Sequence, residues 1–381
     1  MSAPAIAAAD DVLWAHRFAP SLEPAGAVTW RAGGRVEALA ALPDGDLTAL
    51  VSTEAGRTAL LRWGPGGKER SRQSVELGGK VRSARAGEDG GLVVATEAEA
   101  VRFGPDGAVV ARRPLPPTPA AAGGGVERGD VQAAVDGVWL LDGGVLRFVG
   151  LGQPDATATL PAPAAGETLD ASRTWLYPTA QGDCLVAAWR TAEHTVLGRG
   201  VLQPDRPGHL VLSLISRRGE QLASRDEGTV RTRLEWFWRE SGGPQAWGPG
   251  AFGPVRRRHE DGPHLCAVTS RADGDLVFFL RQRLERGDEV RAVRLDGRLR
   301  ERWSRAWTHE APEVLSPPWS RGLLAVAGSH VLAFDEGGSG VGSRAIEYPP
   351  GAVAPGARGF VVGQEPSGAW VVVEWGTPEA R

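Results

Sequence analysis

Residues 322–338, GLLAVAGSHVLAFDEGG, hold two short apolar runs that flank a Gly-Ser-His turn and stop at an Asp-Glu-Gly-Gly turn. Apolar runs of this length bounded by Gly, Asp and Ser read as adjacent antiparallel strands. The same phrase recurs along the chain. GDLTALVSTEAGRTALLRWGPGG begins at Gly45, GGLVVATEAEAVRFGPDG at Gly90 and GVWLLDGGVLRFVGLG at Gly137, and a looser copy, GDLVFFLRQRLERGDEVRAVRLDG, begins at Gly274.

A large apolar residue lies four positions before the turn glycine in each copy: Trp63, Phe103, Phe148, Ile215, Val293 and Phe334, with Trp375 in the corresponding place of the last one. Successive spacings are 40, 45, 67, 78, 41 and 41 residues. A period of roughly 40 to 45 residues per four strands is that of a β-propeller blade, which buries both faces only when neighbours stack on it. The two long spacings contain insertions, residues 191–210 and 228–261, whose removal brings them to 47 and 44.

Each blade then reads as strands A to D from the centre outward. Short, Ala-rich A strands are expected at Arg35, Lys80, Asp130, Thr174, Leu265, Glu313 and Ala352, because small side chains suit a crowded axis. Only six D strands follow the turn glycines. The seventh is expected from the N-terminus, where VLWAHRFAP at residues 12–20 matches the Trp, basic and aromatic order of RERWSRAW. The expected fold is therefore all-β: residues 1–381 form a single seven-bladed β-propeller of four-stranded antiparallel blades, with residues 11–20 closing the last blade and removing its open edge.

Composition fits this without redirecting it. Fifty-two Gly and 28 Pro match many short elements joined by turns, and a net charge of −3 exerts no strong pull on nucleic acid or anionic membrane. The Arg- and Ala-rich usage suggests a GC-rich bacterial origin. Cys184 and Cys266 are too far apart in sequence to suggest a disulfide framework, and two buried reduced thiols are expected. MSAPAIAAADD lacks the basic and apolar regions of a secretory signal, and no run reaches the ~20 apolar residues of a membrane span. The expected location is the cytoplasm.

Strand parity assigns the chemistry to faces. The A-to-B and C-to-D turns, which share one face, are tight Asp-Gly types. The opposite face holds the long excursions: residues 114–129, 191–210 and 228–261. In the last of these, Trp236, Phe237, Trp238, Trp247 and Phe252 lie beside Arg256, Arg257, Arg258 and His259, and Trp and Arg are enriched at interface hot spots. This segment is the expected protein-binding surface, and a local aromatic cap is the structural alternative. Its six Arg against four acidic residues leave too small an excess for a phosphate-tracking groove, so nucleic acid is not the expected partner. His194, His209, His259 and His264 lack zinc-type spacing, and no metal or other cofactor is expected. No nucleophile elbow, phosphate loop or dinucleotide fingerprint is present.

In SHVLAFDEGG and AEAVRFGPDG the copies resemble the repeat of the pyrroloquinoline-quinone-like (quinoprotein-type) propellers, and more loosely WD repeats. The resemblance spans nearly the whole chain. A quinone-dependent dehydrogenase activity would be expected with an export signal and adjacent cysteines, neither of which is present. The chain also resembles bacterial propellers associated with MoxR-type ATPases and von Willebrand A-domain proteins, which implies a partner in such a system. The expected function is a non-catalytic protein-binding platform, or adaptor, acting through the blade-four insertions. The alternatives are an enzyme, a hydrolase or lyase, or a small-ligand sensor, with its site in the axial channel. An enzyme would bring polar groups from several A strands together with at least one shifted pKa, and Arg82, Arg85 and Glu313 are the candidates to line such a channel.

Overall fold

The computed structural model describes residues 10–376 apart from 54–56, 117–130, 143, 162–166, 193–205, 239–253, 262, 285–286, 308–310, 336 and 347–358. Its strands form seven antiparallel sheets arranged as the blades of a ring. Blade 7 opens the chain with its outer strands β1 (Val12–Phe18) and β2 (Pro24–Arg31). Blade 1 follows as β3 (Arg35–Ala41), β4 (Leu47–Ser52), β5 (Thr58–Trp63) and β6 (Glu69–Val75). Blade 2 is β7 (Val81–Ala86), β8 (Leu92–Thr96), β9 (Glu99–Phe103) and β10 (Val109–Pro114). Blade 3 is β11 (Val131–Ala134), β12 (Gly137–Asp142), β13 (Val145–Gly150) and β14 (Ala156–Thr159).

Blade 4 has five strands: β15 (Glu167–Pro178), β16 (Cys184–Ala192), β17 (Arg206–Ile215), β18 (Gln221–Trp238) and β19 (Pro254–Asp261). Blade 5 is β20 (Pro263–Ser270), β21 (Leu276–Leu284), β22 (Gly287–Leu295) and β23 (Glu301–Trp307). Blade 6 is β24 (Val314–Leu315), β25 (Leu323–Ala327), β26 (His330–Phe334) and β27 (Gly340–Ala345). The inner half of blade 7, β28 (Gly359–Gln364) and β29 (Trp370–Gly376), completes the ring.

The ring closes differently from the sequence expectation. The sheet order of blade 7 is β2-β1-β29-β28, so the N-terminus supplies strands C and D rather than D alone. Trp375 consequently lies on strand B, paired with Leu13, and the innermost strand is β28, not the AVAPGA run at Ala352, which lies outside the described residues. Phe18, opposite Trp370 as Trp63 is opposite Leu47, holds the marker position of this blade.

Blade 5 also shifts its marker. Leu295, not Val293, stands opposite the first residue of strand B, Leu276. Both errors have one cause. In most blades the C-to-D turn is closed by a glycine at positive φ four residues after the marker, as in Gly67, Gly107 and Gly338, but here the position is Leu22 (φ 65°) or Leu299 (φ 58°). Each of these leucines is buried, so the packing of its side chain offsets the strain of a left-handed backbone.

The core lies between the blades, as seven apolar clusters, one for each interface of the ring. Leu13, Ala15, Val371 and Val373 of blade 7 pack against Leu47, Leu61 and Trp63 of blade 1. Leu185 and Leu212 of blade 4 pack against Phe278 and Leu295 of blade 5. Burying one such side chain contributes ~1.5–3 kcal/mol, so every blade is stabilised mainly by its two neighbours. Polar ties supplement the packing: the Trp139 indole of blade 3 donates to the Gly182 carbonyl in the A-to-B turn of blade 4, at 3.0 Å.

Candidate functional site: the axial channel and the blade-four ribbon

Two features depart from the regular repeat, and they sit at opposite ends of the strands. The first is an axial cavity of about 370 Å³ to which the innermost strand of every blade contributes. Its walls come largely from the C-terminal halves of those strands, so it lies toward the A-to-B turns, the plain face. Most of the lining is apolar, including Ala40, Ala84, Leu176, Val314 and Val362, as the Ala-rich A strands lead one to expect.

The cavity wall holds one formally charged side chain, Arg85 of β7. Its Nη1 reaches from blade 2 to blade 4 and donates to the Pro178 carbonyl at 2.6 Å. Desolvation pulls the guanidinium down to about 10, which leaves it cationic at neutral pH. Among the described residues no Asp or Glu lines the cavity. The nearest opposing influence is the fully buried Cys184 thiol, whose own ionisation burial drives well above the ordinary cysteine range. Cys184 is thus inert as a nucleophile at neutral pH. Cys266 is only partly buried, which corrects the expectation of two buried thiols.

The other polar groups of the wall differ in how far they are committed. Thr269 donates to the Ser316 carbonyl at 2.9 Å, and the Ser270 hydroxyl accepts from the Ala180 amide at 2.6 Å. Gln132 accepts from Ser83 through Oε1 at 3.2 Å. Trp319, in the turn after β24, lines the same wall, and its buried indole N–H has no hydrogen-bond partner among the described residues. Of the three channel candidates named from sequence, Arg85 alone lines the cavity. Arg82 instead lies 3.9 Å from Glu97, and Glu313 is exposed beside β24.

The second feature is a ribbon on blade 4. Strand β18 pairs with β17 as far as Thr232 opposite Arg206. Beyond that point its pairing among the described residues is with β19 alone: Arg233 opposite His259, Leu234 opposite Arg258, Glu235 opposite Arg257, Trp236 opposite Arg256, Phe237 opposite Val255 and Trp238 opposite Pro254. Three aromatic positions thus run along one strand and the Arg-Arg-Arg-His run along its partner. Trp247 and Phe252 lie outside the described residues. The segment read from sequence as an insertion forms a two-stranded hairpin over residues 231–238 and 254–261.

Among the described residues no group of three or more His, Cys, Asp or Glu able to hold an ion occurs, and His194 lies outside them. His209 instead lies 3.0 Å from the Asp226 carboxylate through Nδ1. Among the described residues no helix is long and apolar enough to cross a membrane.

Sequence reasoning missed a recurring ion pair. The residue just before the strand C marker is Arg in several blades and reaches the acid of its own A-to-B turn: Arg62 to Asp46 at 2.7 Å, Arg102 to Asp89 at 2.7 Å, Arg294 to Asp275 at 2.8 Å and Arg17 to Glu365 at 2.8 Å. Arg70 and Arg302 of the adjoining D strands reach the same carboxylates, Asp46 and Asp275. The signal was present as Arg-Trp, Arg-Phe and Arg-Leu pairs before each turn.

Seven four-strand meanders around an axial channel define a seven-bladed β-propeller, with blade 4 carrying one additional strand. No protein-family model matches the chain, and no curated protein matches it. Among solved structures it is similar to a streptogramin B lyase, with a TM-score of 0.44 at 9% identity over 96% of this chain and 98% of that one. It is also similar to the Pan2 WD40 domain of Neurospora crassa, with a TM-score of 0.39 at 10% identity over 97% and 84% of the two chains. A eukaryotic initiation factor gives a TM-score of 0.38 at 10% identity over 97% and 99%. No residue of the site is assigned from these likenesses.

Proposed function

We propose that the protein is a non-catalytic binding platform that holds a protein partner through the β18–β19 ribbon. The observation that carries this reading is the pairing pattern: residues 233–238 and 254–259 leave the four-stranded blade as a two-stranded ribbon. At ~3.3 Å per residue, six residues extend about 20 Å. Two-stranded ribbons are at best marginally stable in water, and one carrying three aromatic positions on one arm and three arginines on the other, with Trp236 opposite Arg256, is suited to gain its order from a partner surface. The partner class is a protein with an acidic and apolar face, and a component of an ATPase or von Willebrand A-domain system, in the cytoplasm, is the first candidate to assay.

The test replaces residues 233–259 with a short Gly-Ser link, which leaves every β17–β18 pair in place. Binding is compared with that of the intact chain after circular dichroism and thermal melting have shown both to be folded. Retention of the partner by the intact chain alone, with the same loss on substituting Trp236 and Trp238 by Ser, supports the platform. Equal retention by the shortened chain rejects the ribbon as the contact surface.

A further inference from the structure

We infer that the axial cavity is a binding site for a small organic monocarboxylate, with the carboxylate held by Arg85 and Trp319 and the apolar body against the Ala- and Val-rich wall. This does not rest on the blade-four reading. The two lie at opposite ends of the strands, and either can fail alone.

The argument begins with a charge that the fold leaves without a counter-ion. A guanidinium has five N–H donors, and the hydrogen bond that Arg85 makes among the described residues is to a neutral carbonyl, that of Pro178. Carboxylates partner Arg62, Arg102, Arg294 and Arg17 elsewhere in the ring, so the repeat has a standard way to satisfy an arginine. At Arg85 it does not use it. Arg85 is half-buried, and withdrawing a cation even partly from water without an opposing charge is costly, while a wall of Ala, Val and Leu gives no return for that cost in packing that Leu or Met would not give better.

A second observation is independent of the first. Trp319 lines the same cavity, and its Nε1–H is buried with no partner among the described residues. An indole can only donate, so it wants an acceptor that those residues do not supply. Two unmet donors, one of them cationic, with no acid in the wall, select an anion and reject a cation or a second donor.

The rest of the wall narrows the class. One arginine matches one carboxylate, and the wall offers no second cation for a dianion such as phosphate. About 370 Å³ falls at the small end of ligand pockets and admits a body the size of a benzene ring or a medium-length alkyl chain. The alanines that make A strands easy to pack also keep this space open. Arg85 would still tie blade 2 to blade 4 through Pro178 in the bound state, so ligand occupancy and ring rigidity are coupled.

The experiment is calorimetric titration of the full chain with benzoate, 3-phenylpropionate and octanoate, each against its primary amide, and with inorganic phosphate. At least one carboxylate should bind about tenfold or more tightly than its amide, the effect of one charge-assisted hydrogen bond. Arg85→Gln should erase that preference, and Trp319→Phe should weaken the carboxylate several-fold while leaving the amide unchanged. If Arg85→Gln does not fold, Arg85→Lys and Trp319→Phe decide the matter. Equal binding of acid and amide, a preference that survives in the variants, tighter binding of phosphate, or no binding of any carboxylate at millimolar concentration would overturn the assignment.

Discussion

Arg17 and Glu365 join the two ends of the chain: Nε and Nη2 of the arginine each donate to one carboxylate oxygen at 2.8 Å, across 348 residues of sequence. The pair lies in the blade where β1 meets β29, and the carboxylate raises the arginine's pKa above its ordinary value. Bidentate geometry favours it, but the arginine side chain is 37% exposed, so solvent screening limits its worth. Arg17→Met and Glu365→Gln should each lower the free energy of unfolding by about 1 kcal/mol, measured in urea, and the double variant should cost less than the sum.

The buried acids of the recurring pair carry more. Asp275 has a side chain 2% exposed and is shared by Arg294 and Arg302. Removing it takes a buried carboxylate from Arg302 and from Arg294, which keeps Asp273, so Asp275→Ala should destabilise the fold by roughly 3 kcal/mol, and Asp275→Asn, which keeps the hydrogen-bond acceptor, by less. Denaturant midpoints of the two variants make the comparison, and equal losses would show that charge is irrelevant there.

Size complementarity operates between the outer strand and the next blade's C-to-D turn at three interfaces of the ring. Trp30 of blade 7 covers Gly67 of blade 1, and Trp303 of blade 5 covers Gly338 of blade 6, where an added Cβ would lie 2.8 Å and 2.7 Å from the ring. Where the turn residue is Leu22 instead, the facing outer strand offers Gly342. Gly338→Leu should therefore cost at least ~2 kcal/mol through overpacking, and Trp303→Ala in the same chain should recover part of it rather than add to the loss. Thermal melting of the four members of this cycle provides the measurement.

His16 gives the ring closure a pH dependence. It is buried on β1, paired with Ala27 of β2 on one side and Val372 of β29 on the other, and burial lowers its pKa from 6.5. The unfolded chain therefore binds a proton near pH 6.5 that the folded chain does not take up until lower pH. Stability is fully present above pH 6.5 and falls as the pH drops below it toward the folded-state pKa. The difference in unfolding free energy between pH 7.5 and about 5.5 should shrink in His16→Gln, and an unchanged slope would assign the titration to another group.

Much of the ring was legible because hydrophobic alternation and turn glycines repeat at the blade period. It failed where glycine failed as punctuation. Trp375 is followed at once by Gly376 and mimics a strand C ending, whereas Phe18 leads into Ala-Pro-Ser-Leu and hides one. The segment was read as an excursion from blade 4, but its strand register depends on pairing partners that no single window contains. Arg85 was named as a channel candidate without being distinguished from Arg82. The shift in register between Val81 and Ser83 sets which residues of β7 face the axis, and sequence alternation alone does not show such a bulge.

Blade 7 draws its outer strands from the first part of the chain and its inner strands from the last. During synthesis the β1–β2 hairpin emerges first and has no sheet to join until β29 leaves the ribosome. Blades 1 to 6 can stack in order behind it, each added to a growing arc whose leading edge is unpaired. The free hairpin and that edge are then each other's only productive partners, and closure is a single late event with a very long loop to bring together. Conditions that slow elongation or crowd nascent chains should therefore trap this protein as open arcs that join one molecule to the next, even when every individual blade is sound.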